Sequence, residues 1–173
     1  LVGKSDDAKI YTATFTPTAN TNAGNASITV ISGKYADAAG NLGLAASSPP
    51  IDIDTLSASI DGTKITNARG ALPALNDASI QWLNAGDEID ASVTFNEPVF
   101  SNLTSGSPTL ALTVGTETVS AQYVSGSGTK SLVFSAIVAA GQNDSNGVAL
   151  ALNALSLNGA TLKDANGNPA IIT

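Results

Sequence analysis

The chain has 173 residues, with 14 Asp and Glu against 7 Lys and Arg and a net charge of -7. That balance excludes nucleic acid, which needs a basic footprint, argues against an anionic membrane surface, and suits divalent cations. There is no Cys and no His, which rules out disulfides, Fe–S clusters, thiolate zinc sites and the commonest general base.

Taken from its start, the chain shows no signal peptide at Leu1. No apolar run approaches the roughly 20 residues that span a bilayer, so direct membrane insertion is not expected. The first strand signal is Tyr11, Ala13 and Phe15 alternating with Thr12, Thr14 and Thr16. The second sets Ala26, Ile28 and Val30 against Ser27 and Thr29. ISGKYADAAGNLGLA follows at 31–45, with Asp37-Ala-Ala-Gly-Asn41 inside it. In IDIDT, residues 51–55, strand geometry places Asp52 and Asp54 on one face and Ile51 and Ile53 on the other. Residues 68–76 are the nearest candidate for a helix, weakened by Gly70 and Pro73.

From there alternation dominates. Ile89, Ala91, Val93 and Phe95 share a face, as do Leu110, Leu112 and Val114, and Val119, Ala121 and Tyr123. Residues 131–138 and 148–153 obey the same rule. Polar turn signals at 84–88, 104–108, 125–129 and 143–147 separate the runs. LNGATLKDANGNPAI, at 157–171, then repeats the earlier motif as Asp164-Ala-Asn-Gly-Asn168.

Strands about 8–12 residues apart with polar turns between them predict an all-β fold of antiparallel β-sandwich modules in tandem. Residues 56–173 hold about seven or eight strand candidates, enough for one complete module. Residues 1–55 hold only about three or four, too few for a stable sheet. They are read as the C-terminal part of a preceding module plus a linker, its missing strands coming from upstream sequence or from another chain. On this reading DAAGN and DANGN occupy the same position in two modules. The alternative is one sandwich with an N-terminal extension.

The polar motifs carry two readings each. As turns, DAAGN and DANGN use Gly and Asn for left-handed backbone and Asp as a cap. As metal loops, Asp37 and Asp164 supply carboxylates, and Asn41 and Asn168 supply amide oxygens. Neither is an EF-hand, since the Gly is misplaced and no Glu closes the loop. Asp52 and Asp54 either are solvated or repel one another until a cation sits between them. Calcium, which takes six to eight oxygens in flexible geometry, is that cation. Further oxygen donors lie in the turns predicted around Asp77, Asp87, Glu88, Glu97, Asn143 and Asp144. Catalysis is not expected, because familiar nucleophile–base arrangements are absent and short turns offer no deep cleft. Trp82, the single Trp, is read as core or junction packing, with sugar stacking as the alternative.

These residues also carry a resemblance. YTATFTPTANTNAGNASITVISGKYADAAGN followed by IDIDT resembles the bacterial Ig-like repeats of giant RTX-type adhesins exported by type I secretion. AGDEIDASVTFNEPV, SPTLALTVG, the run from AQYVSGSGTKSLVF to GQNDSNGVAL, and LSLNGATLKDANGNPA resemble another such repeat. The resemblance implies a string of Ig-like sandwiches, extended by calcium at the junctions between neighbouring modules of one chain. Such strings project a tip that binds a host or surface ligand, for adhesion or biofilm formation outside the bacterial cell. Carried over by motif, the calcium ligands are Asp37, Asp52, Asp54, Asp87, Asp144 and Asp164. The chain departs from the family pattern in having Asp54-Thr55-Leu56 at the linker and one acid in GQNDSNG, which puts the number of ions in question. Two other classes fit the same residues: a module that itself binds a glycan or protein, and an accessory domain of a secreted glycan-active enzyme.

Overall fold

The computed structural model describes residues 2–3, 11–70, 72–74 and 77–173. All named strand pairs are antiparallel, and no described residue is helical. The all-β expectation therefore holds, and among the described residues no helix is long and apolar enough to cross a membrane. The chain divides into two compact units, Leu1–Leu56 and Ser57–Thr173.

The first unit holds β1 (Val2–Gly3), β2 (Tyr11–Thr12), β3 (Asn22–Ala26), β4 (Thr29–Val30), β5 (Ala46–Ser47) and β6 (Ile51–Asp54). They form three two-stranded ladders, β1 with β2, β3 with β6, and β4 with β5. Alternation predicts one strand through Ala26, Ile28 and Val30, but two form. Asn25 takes a left-handed φ of 67°, and the β3–β6 register slips between Ala23 and Ala26. At Ile28 a serine interrupts the ladder: Ile28 N donates to Ser48 Oγ at 3.0 Å, and Ser48 N donates to Ile28 O at 2.8 Å. The Tyr11–Thr16 pattern likewise gives a strand only over Tyr11–Thr12. No described side chain of this unit is buried, and Phe15, Ile28 and Ile31 are 65, 59 and 62 % exposed. Among the described residues, its apolar side chains are not covered by the second layer that a β-sandwich core requires.

The second unit holds β7 (Ile60–Arg69), β8 (Leu72–Ala74), β9 (Asp77–Trp82), β10 (Glu88–Asn102), β11 (Thr109–Val114), β12 (Glu117–Ser125), β13 (Thr129–Ile137), β14 (Ala149–Ser156) and β15 (Thr161–Lys163). Seven of these make one sheet in the order β14-β11-β12-β13-β10-β15, with β7 also paired to β10. β10 is long enough to serve two neighbourhoods. Residues 88–94 pair with β13 and residues 88–95 with β7, while Phe100–Asn102 pair with β15. Pro98 lies at the irregularity between Thr94 and Val99, a place that tolerates its missing N–H. β14 and β7, far apart in the pairing order, approach one another, so the sheet rolls around its own inner face.

That inner face is the one the alternation predicts. Ile89, Val93 and Phe95 from β10 meet Leu110 and Leu112 from β11 and Leu132 and Phe134 from β13 in one buried cluster. Full burial of side chains of this size contributes about 1.5–3 kcal/mol each. Phe134 also meets Tyr123 edge-on, with ring centres 5.9 Å apart. The β12–β13 turn depends on Gly126, whose φ is 112° and whose missing Cβ would lie 2.1 Å from Ser131 O. The possible helix at 68–76 does not form over its described part: Ala68 and Arg69 end β7, Gly70 turns at φ 90°, and 72–74 is β8. Residues 71, 75 and 76 lie outside the described set, and so does the side chain of Asp77.

Strand direction gives this unit two ends. β7 runs from Ile60, opposite Phe95, to Arg69, opposite Glu88. The chain arrives at the proximal end, where Ser59 N donates to Asn96 Oδ1 at 2.8 Å. There Asn96 N donates back to Ser59 O at 3.0 Å, and Ile171 N donates to Ala58 O at 2.8 Å. From Glu88 to Phe95 the strand covers about 24 Å at ~3.4 Å per residue, and this separates the ends.

Candidate metal centre

DAAGN and DANGN fold into the same object. Asp37 N donates to Asn41 O, and Asp164 N to Asn168 O, both at 3.0 Å. Asp37 Oδ1 accepts the backbone N–H groups of Ala39 and Asn41, each at 2.9 Å. Asp164 Oδ1 accepts those of Asn166 and Asn168 at 2.8 and 2.9 Å. In both loops the Asn side chain donates Nδ2–H to the second aspartate oxygen at 2.8 Å. Gly40 and Gly167 turn the backbone at φ 89° and 91°. Even the flanking bridges repeat, Ala36 with Leu42 and Lys163 with Pro169.

The local chemistry explains the spacing. One carboxylate gathers the N–H groups two and four residues ahead, and glycine permits the reversal between them. The Asn amides thus point their N–H groups at the Asp, and their structural part is to donate. Asp37 is exposed, and the side-chain hydrogen bond from Asn41 leads the causes that hold its pKa below the ordinary value. Asp164 is only 3 % exposed. Burial pushes its pKa up, and the side-chain and backbone bonds from Asn168, with those from Asn166 and Gly167, outweigh that and leave it lowered. Asp164 is therefore a buried carboxylate held in its charged form.

The other candidate residues fall in three places. Asp52 and Asp54 lie on β6 of the first unit, with Asp54 opposite Asn22 in the register. Asp52 is exposed; Asp54 is half-buried and accepts Leu56 N–H at Oδ1, 3.0 Å away. Asp87 and Asp144 lie at the distal end of the second unit. Asp87 Oδ2 accepts Asn84 N–H at 2.6 Å. Asp144 Oδ1 accepts Asn146 and Gly147 N–H at 3.0 and 2.9 Å. The backbone N–H of Gly115 is the main cause that lowers the Asp144 pKa. Asp164 and Asn168 are at the proximal end with β15.

Three acids read as turn residues are in strands instead, the first being Asp77, which opens β9. Glu88 opens β10 and Glu97 lies within it. Glu88 and Asp90 are both answered by Arg69, through Nε to Glu88 Oε2 at 2.9 Å and Nη1 to Asp90 Oδ2 at 2.9 Å. Arg69, followed by Ser135, lowers the Glu88 pKa. Periodicity could have found this arrangement, since Glu88 and Asp90 are two apart on one strand, but it could not name the arginine. Glu97 is different. Its carboxylate comes within 4.8 Å of that of Asp164. This juxtaposition crosses 67 positions of sequence, and no local spacing announces it.

Calcium can be tested against these donors. Everything offered is oxygen, and two carboxylates that converge at partly or fully buried positions suit a hard divalent cation. Asp164 Oδ1 accepts two backbone N–H groups and Oδ2 one amide N–H, so Oδ2 is the less engaged oxygen, and it and the Glu97 carboxylate are anionic oxygens at the proximal end. They account for a minority of the six to eight oxygens calcium takes, and backbone carbonyls, water and further carboxylates make up the rest. The residues fit the ion in chemistry, at the proximal end rather than the distal one, where Arg69 already supplies the positive charge.

Comparison with known proteins agrees with the fold and is confined to part of the chain. Residues 2–53 match the family model of a bacterial Ig-like domain. No curated protein and no solved structure gave a match.

Proposed function

We propose that this chain is an extender segment of a bacterial cell-surface adhesin: Ig-like modules in series that hold a binding tip away from the cell and are stiffened by calcium. The approach of Glu97 and buried Asp164 within 4.8 Å, at the end where the chain arrives, carries the calcium part of the reading. The match of residues 2–53 to a bacterial Ig-like domain supports the modular part. Asp164 and Glu97 would hold the ion, and the ion would supply the positive charge that lets both carboxylates stay ionised. Asp54 is four residues before Ala58, so its Cα lies within about 14 Å of that fixed residue however the first unit is turned.

The physical effect is stiffness. A linker between sandwiches is a hinge by default, and acids that repel keep it open. An ion shared across the linker replaces that repulsion with common coordination. Binding to the folded form alone also adds about 2.7 kcal/mol at a hundredfold excess over Kd. For a unit of this size that raises Tm by about 8–15 °C. Calorimetry of the whole chain in EDTA, in millimolar calcium and in millimolar magnesium tests it. An equal Tm in all three sinks the calcium reading.

A second reading has its own observation. Trp82 is 55 % exposed, not packed in the core. It borders a small cavity of about 140 Å³ with Gln142, Asn143 and Asp144, so an aromatic face stands beside polar groups. A glycan-binding module would use such a surface. Binding on a glycan array that Trp82→Ala abolishes would favour it over the extender.

A further inference from the structure

The chain holds three Asn-x-Ser/Thr triplets, at 25–27, 102–104 and 143–145, the pattern that accepts a sugar on the asparagine amide. The structure treats them differently. Asn102 ends β10 and leads into a turn whose Leu103 and Thr104 are exposed. Its Oδ1 accepts the backbone N–H of Thr104 at 3.0 Å and the Thr104 hydroxyl at 2.7 Å. Asn102 is itself exposed, and its Nδ2 makes no hydrogen bond among the described residues. Asn25 and Asn143 are also exposed, but among the described residues neither Ser27 nor Ser145 bonds to its asparagine in this way.

Strand pairing builds a surface beside the Asn102 amide. Ser101 lies opposite buried Leu162, so Phe100 and Asn102 turn to the outer face, with Lys163 and Thr161 opposite them on β15. All four are exposed, Phe100 by 47 %. The Phe100 ring lies close to Gly128, where an added Cβ would stand 3.3 Å from it. The four side chains border an open cavity of about 330 Å³. An aromatic ring with hydroxyl, amide and ammonium groups at its edge suits a pyranose, whose C–H face meets the ring while its hydroxyls meet the polar groups.

We infer that Asn102 is an acceptor for N-linked glycosylation and that the attached hexose seats on Phe100 in this cavity. The sugar donor is a nucleoside-diphosphate hexose, held by a transferase. Nδ2 bonds to the anomeric carbon, the bond from that carbon to the phosphate oxygen breaks, and the nucleoside diphosphate leaves with the electron pair. The proton from Nδ2 passes to a base of the transferase, and nothing is oxidised or reduced. The two donors on Oδ1 favour the step, because negative charge moves to that oxygen as the proton departs. The site goes beyond the extender reading, does not rest on it and needs no calcium.

The experiment treats the folded full chain with a purified N-glycosyltransferase specific for Asn-x-Ser/Thr and a nucleoside-diphosphate hexose. A synthetic Asn-x-Thr peptide confirms that the enzyme is active. Peptide mass mapping should place one hexose on Asn102 at about tenfold or more the occupancy of Asn25 and Asn143, and Thr104→Val should abolish it. Asn143 borders the Trp82 cavity, so it has an aromatic neighbour without the hydroxyl bond and separates the two effects. Calorimetry of the product in EDTA should give a Tm about 2–6 °C above that of the unmodified chain. Phe100→Ala, and the milder Phe100→Leu, should still accept the hexose and lose that rise. No hexose on Asn102 while the peptide is modified overturns the inference, as does equal occupancy of the three asparagines. A modified chain with no rise, or a rise that survives Phe100→Ala, overturns the seating on Phe100.

Discussion

The twin loops allow one local structure to be perturbed in two surroundings. Asp164→Ala removes the acceptor of two backbone N–H groups and of the Asn168 amide. Hydrogen bonds to a charged group contribute about 1.5–3 kcal/mol each, but they are lost together, and water can reach the exposed Asn166. The net cost at this buried position is then about 2–4 kcal/mol. With a urea m-value of about 1–3 kcal/mol/M, the unfolding midpoint of the second unit falls by about 1–2 M. Asp37→Ala deletes the matching set, yet that loop is exposed and water replaces each partner, so its unfolding midpoint stays within error of the parent. The assay is urea unfolding in EDTA, followed by Trp82 fluorescence for the second unit and by hydrogen exchange at Gly40 and Asn41 for the first. Asp164→Asn tests the charge, because its new amide faces the Asn168 N–H group as a second donor; it should recover less than half of the loss. Equal costs at Asp37 and Asp164 would refute the argument that burial, rather than the bond set, sets the value of this loop.

Four further outcomes follow from the same geometry. If calcium sits at the proximal end, Glu97→Gln and Asp164→Asn each remove most of the calcium-dependent rise in Tm, and Asp87→Asn leaves it intact. Phe134→Ala, at 0 % exposure, costs about 3–5 kcal/mol by the same urea assay with no change in calcium response. Arg69→Ala lowers the unfolding midpoint because buried Asp90 loses its partner, and the double variant with Asp90→Asn recovers part of that loss. Stability also falls in acid. Glu88, Asp144 and Asp164 all have lowered pKa values in the fold, so the unfolded chain binds more protons. Their contribution is complete above the ordinary carboxylate values of 4.5 and 3.8 and is lost as pH falls through the lower folded values, so a midpoint-against-pH curve should be flat near neutrality and drop below about pH 4.

The fold of the second unit was legible because its strands are half-buried in the simplest way. Leu110, Leu112 and Val114 alternate in sequence and are all buried in β11. Such period-two patterns mark a sheet face whatever the partner strand is. β10 outran its pattern because Pro98 marks a register irregularity instead of an end, and a propensity rule reads proline as a stop. In the first unit the same alternation misled. Ala26, Ile28 and Val30 look like one strand face, but Asn25 and Ser48 break the ladder, and among the described residues no second layer covers them. At the candidate site the Asp-to-Asn loop bonds were within reach of spacing alone, since each lies inside a pentapeptide. The Glu97–Asp164 approach was not, because it depends on β10 passing beside β15.

The charge distribution at the two ends follows from those two kinds of contact. At the distal end the acids Glu88 and Asp90 sit on one strand, and the neighbouring strand delivers Arg69 to both. That pairing is complete within the unit and asks nothing of a solvent ion. At the proximal end Asp164 is buried and charged by its own loop, and the strand that passes beside it delivers a second carboxylate. A loop that stabilises only itself could be exposed, as Asp37 shows. Beside Glu97 the same loop puts two carboxylates within 4.8 Å of one another at partly and fully buried positions, where like charges repel. The asymmetry between the ends therefore makes a sharper demand than the number of acids does. On the proposed reading calcium acts at the end where the chain arrives, and the calcium response should survive loss of Arg69 but not loss of Glu97. A response that depended on Arg69 and ignored Glu97 would place the ion at the wrong end and remove the physical basis of the extender mechanism.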